Sequence, residues 1–566
     1  MRSSNIVPGA SVTSPFATLP FACPDTNLEH LIVRLASYRA MVELPSSTMK
    51  INYPGPIPAI TLAAVLTWIY TLGILIYRLW FSPLSKFPGP KLAAATFWYE
   101  FYYDAILRGR YMFQIKKFHE QYGPIVRVSP TELSINDPEY YRVLYSHTNP
   151  RDKDYYYMKP FDFPMSAFGT ESHKIHRSRR AAMNPFFSRG KVLQQEKSIQ
   201  ELVQKLCERI SKFGLSNTVI PLTLGFTCLT TDLITSFVMD RSFGYLDAPN
   251  WHPHWGQTLR DASELATVTK QITWILPILK CLPQPFVESL NPGLSLFYTL
   301  ARRCQERIAE VFISRETIQE IGAVEERKRT LFDQILDSNL SFEEKEPERL
   351  AQEVRSAIGA GTETTSNTLS VITFHILSNP NQLRTLQNEL RGLEPDLEVA
   401  LDLCALEKLP YLSSVVLEGL RLSYGVSTRL LRKSPEEPMI YKDYVIPTGV
   451  SVGMSSVLMH HHEQIFPESH KFLPERWLDL EERKHLEKYM VSFSSGSRRC
   501  IGMNLAKAEI FIAIATLFRR FDFELCNTTR DDIDVHHDLF IPRPKNLKTM
   551  GVQVRLKDNN ILQEKS

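Results

Sequence analysis

Between Lys50 and Arg78 the chain carries no charged residue, and the core of that interval, IPAITLAAVLTWIYTLGILIY at residues 57–77, is apolar on every side. A helix of about 20 such residues crosses the ~30 Å hydrocarbon layer of a bilayer. A surface helix would show a single apolar stripe, so the competing reading is a buried core helix. The stretch lies too far from Met1, and is too long, for a cleaved signal peptide. Glu43 and Lys50 nearly cancel ahead of it, whereas Arg78, Lys86 and Lys91 follow it. The positive-inside bias then puts everything after Tyr77 in the cytosol, with Trp80 where an interfacial anchor belongs. The predicted organisation is a weakly ordered lumenal tail at 1–50, a transmembrane helix at 51–80, a proline-rich connector at 81–92 and a cytosolic body at 93–566. Met49 is an alternative start. The connector cannot continue a helix, because FSPLSKFPGP holds Pro83, Pro88 and Pro90.

The body is long enough for one large core and shows neither an internal repeat nor a long linker. A formal charge of +3, spread evenly, argues against a nucleic-acid surface. The cysteines are scattered, with no CxxC pair, which argues against a zinc ribbon, a thioredoxin-type pair and a dense disulfide framework. A reducing compartment follows as the default. Helical patterning runs from Lys191, from Asn291 and from Pro347 to Leu377, with strand-like pieces near Ile125 and Met439. The stretch HHDLFIPRPKNLKTMGVQVRLK reads as two extended pieces around a turn. The fold class is mainly α with minor β-sheets.

Glu418 and Arg421 fall three apart on a helix predicted to begin at Pro410, close enough to share a face. On a surface such a pair contributes only about 0.3–0.5 kcal/mol. Here Val415, Val416, Leu417, Leu420 and Leu422 surround it, so it is expected to be desolvated and to need further partners, Arg476 in FLPERW being one. In the long helix, Gly359 and Gly361 each cost roughly 1 kcal/mol relative to Ala. The following Thr362, Glu363, Thr364 and Thr365 bring hydroxyls that compete for backbone carbonyls. A helix break or close helix packing would account for the cluster. So would a groove in which glycine admits a ligand and an acid beside an alcohol moves protons.

Cys500 lies in FSSGSRRCIG, residues 493–502. The cytosolic placement disfavours a disulfide, and no ligand-spaced Cys or His supports zinc. A nucleophile with a distant histidine and an inert buried thiol both remain open. A helix is predicted just after Cys500, and its free N–H groups and dipole would lower the thiol pKa. Gly496 and Gly502 permit close approach to something flat, and Arg498 and Arg499 offer donors to acidic groups. Together these describe a seat for haem.

The chain resembles the cytochrome P-450 family, membrane-anchored haem-thiolate monooxygenases of the microsomal kind. The haem signature F-x-x-G-x-R-x-C-x-G is met by Phe493, Gly496, Arg498, Cys500 and Gly502. The oxygen-side motif is met by Ala360, Gly361, Glu363, Thr364 and Thr365, and the E-x-x-R pair by Glu418 and Arg421, with Arg476 completing a Glu-Arg-Arg network. The run HxxHRxRRxxMNPFFS is similar to fungal trichodiene oxygenase-like enzymes of secondary metabolism. The resemblance implies the P-450 fold behind one transmembrane helix, in the endoplasmic reticulum membrane. It implies haem b, iron protoporphyrin IX, on the Cys500 thiolate, with Phe493 beside the sulfur. Arg498, Arg432 and Arg180 would hold propionates, Arg429 being an alternative to Arg432. His176 stands where the family has tryptophan, so its charge would make propionate contact pH-sensitive.

The resemblance further implies that Thr364 and Glu363 manage protons beside the haem, while the substrate lies against Ala360 and Gly361. Electrons would come from NADPH through a cytochrome reductase docking near Cys500 and Lys507, with cytochrome b5 as a further donor. The substrate would be a lipophilic small molecule, a terpenoid or related scaffold. Two other functions compete: a reductase-independent haem-thiolate isomerase or dehydratase, and a non-catalytic membrane haem protein. Intact Glu363 and Thr364 speak against the first, and complete motifs on both sides of the haem against the second.

Overall fold

The computed structural model describes residues 56–215, 218–290, 294–321, 328–393, 396 and 399–557; the tail expected at 1–50 lies outside them. The apolar stretch forms the helix Pro56–Ile76, extended by a π-helical turn at Tyr77–Phe81. From Ile60 to Phe81 none of it is buried. That speaks against the core-helix reading and is compatible with a membrane anchor. A second apolar helix, Leu222–Met239, is 89% buried and belongs to the core.

The connector fastens the anchor to the body. Buried Arg127 donates to Arg78 O at 2.8 Å and to Pro130 O at 2.9 Å. Its backbone N–H donates to Pro88 O at 2.7 Å. Gly89, at φ 153°, lets the connector press so close that a Cβ there would stand 2.4 Å from Arg127 O. The carbonyl of Arg78, at the end of the apolar helix, is thus satisfied by a side chain from the sheet.

The helix Pro347–Ser378 runs through the core against Leu222–Met239, Pro410–Ser423 and Met503–Arg520. It does not break at its glycines. A Cβ on Gly361 would come 2.8 Å from Ile234, and Thr230 Oγ1 donates across the interface to Thr362 O at 2.8 Å. Close helix packing therefore accounts for Gly361 as much as any ligand groove does. Within the helix, Thr362 and Thr364 donate back to the carbonyls of Ile358 and Ala360.

The strands Ile125–Arg127, Glu132–Ile135, Ser451–Gly453, Arg432–Lys433 and Asp152–Lys153 lie side by side in that order. Their register sets Lys153 directly opposite Arg432. Two expectations are corrected. The helix from Lys191 is two pieces, Arg189–Leu193 and Glu196–Leu215. The C-terminal stretch holds three strands: the hairpin Val535–Leu539 with Ile541–Pro544, and Gln553–Leu556, which pairs in another sheet.

Glu418 and Arg421, both wholly buried, are satisfied on every side. Arg421 grips both carboxylate oxygens at 2.8 Å and donates to the carbonyls of His460, Ser469 and Lys471. Glu418 also accepts from Leu473 N at 2.9 Å, Arg476 Nε at 3.1 Å and Trp477 Nε1 at 2.9 Å. Burial raises the Glu418 pKa, but the hydrogen bonds and charge of Arg421, then Arg476, outweigh it and the net shift is downward. The contribution to stability is therefore present above the ordinary carboxylate range and lost as pH falls through the lowered folded value. Glu418→Ala strands Arg421 in the core and is expected to cost about 3–5 kcal/mol, read as a lowered unfolding midpoint in a denaturant titration. In the wild type, the midpoint should fall as acid protonates Glu418.

Candidate active site

A cavity of about 270 Å³ opens between the long helix and the start of Met503–Arg520. Ala360, Gly361 and Thr364 line it from the helix; Phe493, Cys500 and Gly502 line it from the loop before Met503. The loop is closed by Cys500 N–H donating to Phe493 O at 2.9 Å. Gly496, at φ 73°, is required by the protein itself, since a Cβ there would stand 2.4 Å from Tyr145 O. Gly502 has nothing within 4 Å of its Cβ position and is the glycine that leaves room beside the sulfur.

Cys500 is unbridged, and its surface faces the cavity, so the thiol is accessible from within while packed protein desolvates it from behind. Burial pushes its pKa up, against the Gly502 N–H and the charges of Arg180 and Arg499. The lowering expected from the helix start is present as those opposing pulls, but burial wins. A cation at the sulfur, such as a metal, is what would favour the thiolate.

Cations gather at one side of the cavity. Arg432 and Lys153 meet across their strands, both buried, and Arg498, Arg180 and His176 close the group. Among the described residues, Arg432 donates to Leu431 O, Lys153 to Phe168 O, and Arg498 to Thr170 O and Glu171 O; none of the three donates to a carboxylate. Arg498 Nε is buried without a partner. Burial and then the neighbouring Arg432 push Arg498 down to about 9, and Lys153 lies well below its ordinary value for the same two kinds of cause. Such a buried excess of positive charge matches a ligand bearing carboxylates. The residues present therefore fit haem: the loop would supply its sulfur ligand, and Arg498, Arg432, Arg180 and Lys153 would hold its propionates.

His176 is pushed down to about 2 by burial and by Arg498, Arg180, Lys153 and Arg432. Burial and these cations favour its neutral form. Arg429 is also corrected: it is buried elsewhere, paired with Glu132 and Glu100. Glu363 lies next to Thr364 but its carboxylate pairs with Arg543 of the C-terminal hairpin, while Thr364 Oγ1 faces the cavity and donates to Ala360 O at 2.8 Å. Lys507 is half-buried. Sequence reading missed Lys153, whose position opposite Arg432 no local pattern announces. It also missed Arg543, within the stretch read as two extended pieces, and Glu509, a buried acid lining the same cavity and pushed up to about 8 by burial.

A cysteine sulfur on one wall, an alcohol on another and carboxylate-seeking cations at the edge define a haem-thiolate pocket. The sequence profile described as Cytochrome P450 matches residues 88–550. The chain is 43% identical over 512 residues to a cytochrome P-450 monooxygenase from Ascocoryne sarcoides, covering 89% of this chain and 99% of that one. It is 42% identical to a tryptophan 6-hydroxylase from Fusarium equiseti, covering 85% and 94%. A crystal structure of a cytochrome P-450 shares the fold at a TM-score of 0.62 and 17% identity, over 79% of this chain and 94% of that one. The chain belongs to the cytochrome P-450 family, and it is a monooxygenase of that family.

Replacing His176 by Phe, or Lys153 by Met, is expected to lower haem retention several-fold, read as the ratio of Soret to protein absorbance after gel filtration. Wild-type retention should stay level from mildly acid to mildly basic pH; a fall on the acid side would contradict a neutral His176.

Proposed function

We propose that the chain takes electrons from NADPH through a separate cytochrome reductase, with cytochrome b5 as a further donor, and uses O2 to hydroxylate or otherwise oxidise a lipophilic small molecule of secondary metabolism. The reading is supported above all by one arrangement: Cys500 and Thr364 border the same largely apolar cavity, with the cations at its edge. Residues 93–566 would work on the cytosolic face of the endoplasmic reticulum, held by the exposed apolar helix. Haem b, when bound, supplies the iron at which O2 is activated.

The chain's own groups do the rest. Cys500 gives the sulfur ligand, and Phe493 packs beside it. Arg498, Arg432, Arg180 and Lys153 neutralise the propionates, and His176 adds a neutral donor. Thr364 Oγ1 can accept a proton and pass one on at the cavity surface, resupplied by Glu363, a general-acid role of the kind that typically contributes about 10²–10⁴-fold. Glu418, Arg421 and Arg476 hold the scaffold behind the loop. Ala360, Gly361 and the apolar walls keep water from the reacting carbon and let an apolar substrate lie close.

A terpenoid or related scaffold suits those walls. An aromatic substrate is a second reading, favoured by a cluster at the cavity edge where Phe540 lies 4.8 Å from Phe161 and 6.1 Å from Phe168, ring centre to ring centre. The Fusarium relative carries the name of an enzyme acting on such a ring.

Two variants test the assignment in microsomes with added reductase. Cys500→Ala should lose the thiolate-type Soret shift of the reduced carbon monoxide complex. Thr364→Ala should keep it, while product per NADPH falls by roughly 10²-fold and hydrogen peroxide rises. Oxidation that proceeds without NADPH and O2 would return the isomerase reading.

A further inference from the structure

The loop that brings Ala167 and Phe168 to the cavity has no strand or long helix of its own to hold it. It folds on itself through Ser166, whose Oγ donates to Phe163 O at 2.8 Å and accepts from Gly169 N–H at 3.0 Å. Its remaining backbone donors turn to the long helix. Met165 N–H donates to Gln352 Oε1 and Ala167 N–H to Glu353 Oε2, both at 2.9 Å. Consecutive residues on a helix point about 100° apart, so these two side chains take the loop from two directions. Both are buried.

Each grip is itself held. Gln352 Nε2 donates to Glu348 Oε1 at 3.1 Å, which turns the amide oxygen toward the loop. Glu353 accepts from Arg349 at 3.1 Å, and Arg349 donates to Glu344 at 2.8 Å. Arg179, on the helix His173–Met183, takes both Glu344 oxygens at 2.7 Å and donates to Thr170 Oγ1 at 2.9 Å, so the same network closes on the end of the loop. Between these fixed points stands Phe168. Lys153 Nζ lies 4.1 Å from its ring centre and Phe540 6.1 Å, ring centre to ring centre.

We propose that Gln352 and Glu353 are positioning residues for ligand selectivity: by accepting from the Met165 and Ala167 N–H groups they fix Phe168 as a rigid wall, against which a flat apolar ring packs. The proposal rests on the reading of this cavity as the place where haem and substrate lie. Glu353 borders the cavity, but its carboxylate is engaged by the loop and by Arg349. A wall held in place before the ligand arrives spares the cost of ordering it on binding.

The test titrates the haem-loaded full chain with imidazole and with 4-phenylimidazole, each read by the red shift of the Soret band. Imidazole is too small to need the wall, whereas the phenyl ring reaches beyond the iron. Gln352→Met and Glu353→Met are each expected to weaken 4-phenylimidazole about fivefold, the scale of one hydrogen bond, and to leave imidazole within about twofold. Phe168→Ala should give a similar loss, and Gln352→Met should add nothing in that background. Glu353→Gln keeps an acceptor for Ala167 N–H and should keep the wild-type ratio of the two affinities, while loss of the charge beside Arg349 lowers the unfolding midpoint. If Glu353→Met does not retain haem, Gln352→Met, which removes no charge, is read instead. An unchanged ratio in the methionine variants, an equal change for both ligands, a loss that persists without Phe168, or a glutamine variant at 353 that behaves like methionine overturns this inference alone. A wild type whose Soret band does not move with imidazole overturns the haem-cavity reading and this inference with it.

Discussion

The carboxylate of Glu418 is the group around which the body is organised. A charge buried this deeply is tolerated only when every lone pair is used, and here a guanidinium, a second arginine, an indole and a backbone N–H use them. Arg421 carries the order onward. His460 Nδ1 meets Arg421 O at 2.8 Å, and its Nε2 accepts from Val491 N–H at 3.0 Å, two residues before Phe493. Since Nε2 accepts, the proton must sit on Nδ1, and burial holds the ring neutral in that form, its pKa pushed down to about 3. The loop that presents Cys500 is thus hung from the ion pair through one histidine.

Two charged regions of the body contrast in kind. The Glu418 cluster sets a carboxylate against its two arginines, whereas the cations at the cavity edge are buried with backbone oxygens as their hydrogen-bond partners. Such an excess disfavours the folded chain until an anionic group neutralises it. Cofactor binding and stability are therefore linked: whatever supplies the carboxylates stabilises the folded form by mass action.

Much of this was legible in the sequence, and the gaps have physical causes. Glu418, Arg421 and Arg476 could be read because helix spacing and apolar neighbours are local facts; Trp477 could not, since an indole N–H gives no pattern. The Cys500 loop was legible as a cofactor seat, but its thiol was not. The helix start is local and pulls the pKa down, while the desolvation that prevails comes from packing distant in sequence. Gly496 was marked as a place of close approach, yet its partner, Tyr145 O, became visible only with the fold. Lys153 and Arg543 were missed for one reason: each owes its role to a strand register or a hairpin that brings it beside a residue far along the chain. The long helix was predicted to within a residue, whereas one proposed use of Gly361, the ligand groove, shares the position with contact to Ile234.

The junction at Arg127 has a mechanical consequence. Because a buried guanidinium ties the Arg78 carbonyl, at the end of the apolar helix, to the sheet, the helix acts on the body as a rigid arm and not as a leash. The angle between helix and sheet is then a property of the fold. A bilayer that held this helix would meet the same side of every molecule, and a lipophilic molecule leaving it would reach the body in one orientation.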